Sequence, residues 1–157
     1  MIFVALGTQK FQLNRLLKML DDMIKEGRLK EKVIAQIGHS DYIPKNYEYH
    51  KFLSGEDYKK IISKSDLVIT HSGVGTIINA INLKKPIIVF PRLKMYKEHV
   101  DNHQLEIAKA FAVNSYVICF EEGDDLFTLI QKSKNFEYKK YVSGNEKIIK
   151  CINEFLR

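Results

Sequence analysis

Only 2 cysteines occur among the 157 residues, and Cys119 and Cys151 stand too far apart to form a Cys-x-x-Cys redox or metal pair. That excludes a disulfide framework. The expectation is reduced thiols in a cytoplasmic protein, with Cys119 a core residue inside the apolar run SYVICF. Proline and glycine are also sparse, at 3 and 8, while 45% of residues are hydrophobic and 28% charged. Such a balance excludes fibrous and disordered chains and predicts one globular domain over residues 1–157. No apolar run approaches the roughly 20 residues of a membrane-spanning helix. No basic region precedes IFVAL after Met1, so this run reads as a first strand and not a signal peptide.

Charge is unbalanced, with 25 Lys and Arg against 19 Asp and Glu and a formal net charge of +6. The lysines are scattered along the chain. This suits an anionic partner such as a nucleotide or a membrane surface, and equally an ordinary lysine-rich solvated surface. There is no interleaved basic and aromatic stretch of the kind single-strand binders use, so no nucleic-acid partner is expected.

What is present is alternation. Short β-branched runs at 2–6, 32–38, 47–53, 66–70, 86–90 and 116–120 are mostly separated by amphipathic stretches, among them 10–27, with Phe11, Leu13, Leu16, Leu17, Leu20 and Ile24 at helical spacing. Ser54 followed by Asp57 predicts a capped helix over 54–65. The segment 143–157 predicts a closing helix with Ile148, Ile149, Ile152 and Phe155 on one stripe. Residues 39–46 read as a surface loop. Strands interleaved with helices predict an α/β fold, Rossmann-like, with a mainly parallel sheet covered on both faces.

In such sheets ligands bind beyond the carboxyl ends of the strands. Two turns there stand out, LGTQKF after the first strand and THSGVGT after the fourth. In the second, Gly73 and Gly75 permit close backbone approach, and a helix starting near Val74 aims its free N–H groups at the turn. Ser72, Thr76 and His71 add donors. A diphosphate suits this turn, but a hydroxyl at a helix start is also plain N-capping that needs no ligand. Ile78 stands where Gly-x-Gly-x-x-Gly has its third glycine, and Gly-Lys-Ser/Thr is missing, which disfavours dinucleotide oxidoreductases and P-loop enzymes.

Further on, EHVDNHQLEIAKAF (98–111) reads as a helix carrying His99 and His103 on one face, with Glu98, Asp101, Asn102, Gln104 and Glu106 around them. Val100 stands where a zincin has glutamate and no third ligand is evident, so no metal is expected. Amides and histidines here suit sugar hydroxyls. No catalytic triad can be assembled.

These three stretches together resemble the donor-binding half of GT-B glycosyltransferases, the family 28 C-terminal domain. The match in length and plan is to the small soluble subunit of two-piece enzymes, the dolichol-pathway UDP-N-acetylglucosamine transferase and its exopolysaccharide and capsule relatives. The resemblance implies that Gly7, Thr8 and Gln9 lie near a donor diphosphate with Ser72, Gly73 and Thr76. It implies that His103 and Gln104 hold the donor sugar, and that the backbone of Phe52 and Leu53 meets uracil. Where the family often has a ribose-binding glutamate this chain has Asn79, which accepts through its carbonyl oxygen but carries no charge. A GT-B cleft needs two such halves, so the resemblance implies a separate membrane-anchored subunit that binds a lipid-linked saccharide acceptor and holds this chain at the inner face of the membrane. The implied activity is inverting transfer from a UDP-sugar, with no cofactor and no Asp-x-Asp metal. A non-catalytic nucleotide-binding partner that activates another transferase, and a basic nucleotide- or nucleic-acid-binding module, are the alternatives.

Overall fold

A computed structural model describes residues 1–141, and the stretch 143–157 with its apolar stripe and Cys151 lies outside the described residues. The elements run β1 (Ile2–Ala5), α1 (Asn14–Lys25), β2 (Val33–Gln36), β3 (Glu48–His50), α2 (Gly55–Lys64), β4 (Leu67–Thr70), α3 (Val74–Asn82), β5 (Ile87–Val89), α4 (His103–Val113), β6 (Ile118–Cys119) and α5 (Leu126–Ser133). The strands pair in parallel in one 6-stranded sheet, ordered β3-β2-β1-β4-β5-β6. The expected α/β class and Rossmann-like plan are therefore the observed ones.

Strand alternation divides the core between the two faces. Ile2, Val4 and Leu6 point to one side, under Leu16, Leu17 and Leu20 of α1 and Leu126 and Ile130 of α5. Phe3 and Ala5 point to the other, under Ile62 of α2, Ile77 and Ala80 of α3 and Ala108 and Phe111 of α4. The central strands are buried on both faces, which is why they read as unbroken apolar runs.

Helix boundaries follow local hydrogen bonding. Ser54 caps α2 by accepting from Asp57 N at 3.1 Å, as its spacing predicts. The first helix starts later than the apolar spacing from residue 10 predicts, because the Gln12 side chain accepts from Asn14 N at 2.7 Å and the carbonyls of Phe11 and Gln12 turn away to Arg92.

No helix connects β2 to β3. The intervening loop instead crosses α1 and is fastened by a buried carboxylate, Asp21, which accepts from the Tyr42 hydroxyl (2.8 Å), Lys45 N (2.9 Å), Asn46 N (2.8 Å) and Asn46 Nδ2 (2.9 Å). Burial by itself raises the Asp21 pKa, but these bonds outweigh it and hold the pKa below the ordinary value. A depressed carboxylate stabilises the fold above its unfolded pKa of about 3.9, and that contribution vanishes as pH falls through the folded value. Asp21→Asn turns an amide N–H2 toward donors and is expected to cost roughly 2–3 kcal/mol at pH 7, with the penalty shrinking in acid. Urea unfolding of both proteins at pH 7 and pH 3 checks this; equal penalties at the two pH values contradict it.

Candidate functional site

The strand order reverses between β1 and β4, so the turns leaving these two neighbours diverge to opposite faces and open a crevice at their carboxyl ends. Gly7–Gln9 leave β1 and His71–Thr76 leave β4, on either side of this switch point. Gly38 follows β2, Phe52 and Leu53 follow β3, and Arg92 to His103 follow β5. A parallel sheet brings all of these loops to one edge.

At the centre lies His71, 5% exposed. Its ring is held between two glycines. A Cβ on Gly7 would meet His71 Nε2 at 2.6 Å, and one on Gly73 would meet Cε1 at 2.4 Å and Nε2 at 2.7 Å. Gly7 also has a φ of +70°, which side-chain-bearing residues rarely adopt. Nδ1 faces Gln104 Nε2 at 3.4 Å. Burial, with the charges of Arg92 and His99, holds the imidazole pKa down to about 3, so the ring is neutral at physiological pH.

Helix α3 starts at Val74 as expected, with Gly73 as N-cap and no side-chain cap. The capping alternative therefore fails. Ser72 is buried and its hydroxyl donates to the Gln104 carbonyl at 2.5 Å, so in this conformation that proton is engaged within the fold. The Thr76 side chain lies by the Tyr58 hydroxyl, where it opposes the rise that burial imposes on the tyrosine pKa. A methyl on Gly75 would meet nothing within 4 Å, so packing does not require that glycine.

Arg92 is the residue sequence reasoning missed, since it reads as the first member of the basic loop 92–97. It is 0% exposed. Its guanidinium donates to the carbonyls of Leu6 (3.0 Å) and Phe11 (3.0 Å) through Nη2 and of Gln12 (3.2 Å) through Nε, and so brackets the first turn from both ends. Nη1 is buried with no hydrogen-bond partner among the described residues. Burial draws the Arg92 pKa down to about 10, opposed by Glu98, and the group stays protonated at neutral pH. The signal was there: an arginine directly behind the apolar run IIVFP.

The stretch 98–111 does not form one helix. Lys94–Tyr96 make a short 3-10 turn, Lys97 has a φ of 55° and α4 begins only at His103. His99 and His103 therefore do not share a helical face; both lie against Asp101, through Nδ1 at 3.0 Å and 3.5 Å. Glu98 is buried and accepts from Arg15 Nε and Nη2, each at 3.0 Å, and from Leu93 N at 3.0 Å, so it too is withdrawn from any sugar. Gln104 is likewise buried, its Oε1 accepting from Arg92 N at 3.0 Å. Of the amides and histidines read as a sugar edge, Asn102 and His103 stand exposed in this conformation, with Asn102 Oδ1 accepting from Lys94 N at 3.0 Å. Thr8, Gln9 and Asn79 are exposed as well. Phe52 is exposed with its ring edge-on to His39, while the Leu53 N–H is occupied by Gln36 Oε1 at 3.0 Å. No cluster of three or more His, Cys, Asp or Glu among the described residues could hold a metal ion.

A parallel sheet of this order, with its glycine turns gathered at the switch point, is the Rossmann-like fold of the C-terminal domains of GT-B glycosyltransferases. The chain belongs to glycosyltransferase family 28, whose C-terminal domain matches residues 1–150. It is 31% identical over 115 residues to the UDP-N-acetylglucosamine transferase subunit ALG13 of Homo sapiens, covering 69% of this chain and 10% of that protein. The ALG13 subunit of Candida albicans is 41% identical over 69 residues, 44% of this chain and 22% of the relative. A Prochlorococcus marinus UDP-N-acetylglucosamine--N-acetylmuramyl-(pentapeptide) pyrophosphoryl-undecaprenol N-acetylglucosamine transferase is 30% identical over 155 residues, 80% of this chain and 41% of that enzyme. The chain thus spans between 10% and 41% of the length of these curated relatives. Among solved structures, the solution structure of ALG13 superposes with a TM-score of 0.58 at 21% identity, over 95% of this chain and 92% of that one. Acinetobacter baumannii MurG gives 0.54 at 18%, over 84% of this chain and 40% of that one.

Proposed function

We propose that this chain binds the UDP-sugar donor of a glycosyltransferase, with the diphosphate seated between the Gly7–Gln9 turn and the N-terminus of α3. The observation that carries this reading is the pairing, at the switch point, of an uncapped helix start with a buried neutral imidazole between two glycines. Free backbone N–H groups and the helix dipole favour an anion there, and the N–H of a neutral imidazole adds a donor without a positive charge. Asn79 is proposed to accept from the ribose, the Phe52–Leu53 segment to meet uracil, and Asn102 and His103 to meet the sugar.

In the reaction we propose, an acceptor hydroxyl oxygen forms a bond to the anomeric carbon as the bond from that carbon to the β-phosphate oxygen breaks, with inversion. The hydroxyl proton passes to a base on the acceptor side, and UDP leaves with its new charge facing the α3 N–H groups and His71. The donor wall thus stabilises the leaving group.

The acceptor we propose is a lipid-linked saccharide, as in exopolysaccharide or capsule assembly, presented by a membrane-anchored second subunit that also holds this chain at the membrane. Two features support this partner. Relatives named ALG13 are described as transferase subunits. The loop bordering the site also exposes Met95 (69%) and Val100 (66%), apolar side chains suited to a protein surface. None of the described helices is long and apolar enough to cross a membrane. The matched relatives are named for N-acetylglucosamine transfer, so UDP-N-acetylglucosamine is the first donor to test. Calorimetric titration should show UDP and this sugar nucleotide binding at one site and ADP binding at least about tenfold more weakly; equal affinity for ADP contradicts a uridine-reading site.

A further inference from the structure

Gln104 is the residue whose placement departs furthest from a role in holding sugar. Its amide is buried and engaged at both ends. The Arg92 backbone N–H donates to Oε1 at 3.0 Å, which assigns the other end of the amide as the N–H2 group. That group lies 3.4 Å from His71 Nδ1. An amide N–H2 can only donate, so Nδ1 has to accept, and a neutral imidazole that accepts at Nδ1 carries its proton on Nε2. Nε2 lies between the two glycines, 2.6 Å from where a Cβ on Gly7 would stand and 2.7 Å from where one on Gly73 would, and neither residue has a side chain to meet it.

We propose that Gln104 is a positioning residue for His71: its side-chain amide, anchored by the Arg92 N–H, fixes the imidazole as the Nε2–H form and so aims a neutral hydrogen-bond donor into the crevice between the two glycine turns. The inference rests on the donor-site reading only for what receives that proton. The Gln104 main chain takes part as well, because its carbonyl accepts from Ser72 Oγ. Ser72, His71 and Arg92 are thus all held by one residue at the start of α4. Arg92 in turn brackets the first glycine turn, so the geometry of both turns is set from the same point. Besides Gln104, the charged or titratable groups facing the ring are Arg92 and His99. Both disfavour an imidazolium.

The test uses the full 15N-labelled chain without ligand, reading the His71 ring nitrogens by long-range 1H–15N correlation. The wild-type ring is expected to show Nε2 protonated and Nδ1 bare, unchanged from pH 8 to pH 5.5. In Gln104→Glu the carboxylate still accepts from Arg92 N–H but offers Nδ1 only an acceptor, so the proton is expected to move to Nδ1 and the ring to begin titrating within this range. UDP affinity of that variant is expected to fall at least about tenfold at pH 8 and to recover toward pH 5.5 as the imidazolium regains its Nε2–H. Gln104→Met, similar in shape but without hydrogen bonds, should leave a mixture of tautomers and an intermediate loss. A wild-type ring protonated on Nδ1, or a ring indifferent to both substitutions, overturns the proposal. If the ring behaves as described while UDP binds neither protein, the relay stands and the donor-site reading falls; if UDP binds and the ring does not respond, the reverse holds.

Discussion

Gly73→Val is expected to weaken UDP binding at least 100-fold, about 2.7 kcal/mol, while the sheet and its two cores stay folded. The cause is local. A Cβ at this position would lie 2.4 Å from His71 Cε1 and 2.7 Å from Nε2, so a branched side chain must displace the imidazole or drag the start of α3 away from β4. Either movement scatters the donors that are proposed to hold the diphosphate. Gly75→Ala separates this effect from ligand approach, because nothing lies within 4 Å of the added methyl group and the residue sits in helix. That substitution should leave stability unchanged or raise it by up to about 1 kcal/mol, yet cost roughly tenfold in UDP affinity as the methyl covers the N–H groups. Calorimetry with parallel thermal unfolding separates the two cases. Undiminished UDP affinity in folded Gly73→Val removes the phosphate-cradle reading.

The second large effect concerns turnover. The chain alone is expected to transfer no sugar to a lipid-linked acceptor, and to do so once combined with the proposed membrane-anchored subunit. In the proposed reading the described residues form one wall of a cleft, with the partner excluding water from the anomeric carbon and supplying the base for the acceptor hydroxyl. The loop carrying Met95 and Val100 borders that wall, and its neighbours Lys94 and Lys97 are exposed too. Replacing Met95 and Val100 together by Ser should therefore weaken association without altering UDP affinity of the isolated chain. Co-expression, recovery from membranes and transfer assays on each component apart and together decide the matter; robust turnover by the purified chain alone contradicts the two-component reading.

The path from residues to fold was short wherever the signal was periodic. Buried strands such as IFVAL and DLVIT and the Ser54 cap act through neighbours in the sequence and lie where their spacing predicts, and the stripe of α1 does so from Leu16 onward. The boundary of α4 was not legible, because it depends on Glu98 turning inward to meet Arg15 from a helix 83 residues away in sequence. The site was legible as a set of glycines and donors, but not in its directions. Ser72 and Gln104 look like ligand contacts in sequence, and the fold turns both inward, toward each other and toward His71 and Arg92. Arg92 carries no periodic signal at all: its value comes from carbonyl groups 80 and more residues away that converge on one guanidinium.

The central claim is that a UDP-bearing donor sits at the crevice between the turns leaving β1 and β4. Backbone amide shifts of the 15N-labelled chain, followed during titration with UDP, test it most directly. Saturable changes are predicted for residues 7–10 and 71–76, at a single dissociation constant, with little change at the opposite end of the sheet around residues 84–86. No saturable change, or changes confined to that opposite end, would contradict the claim.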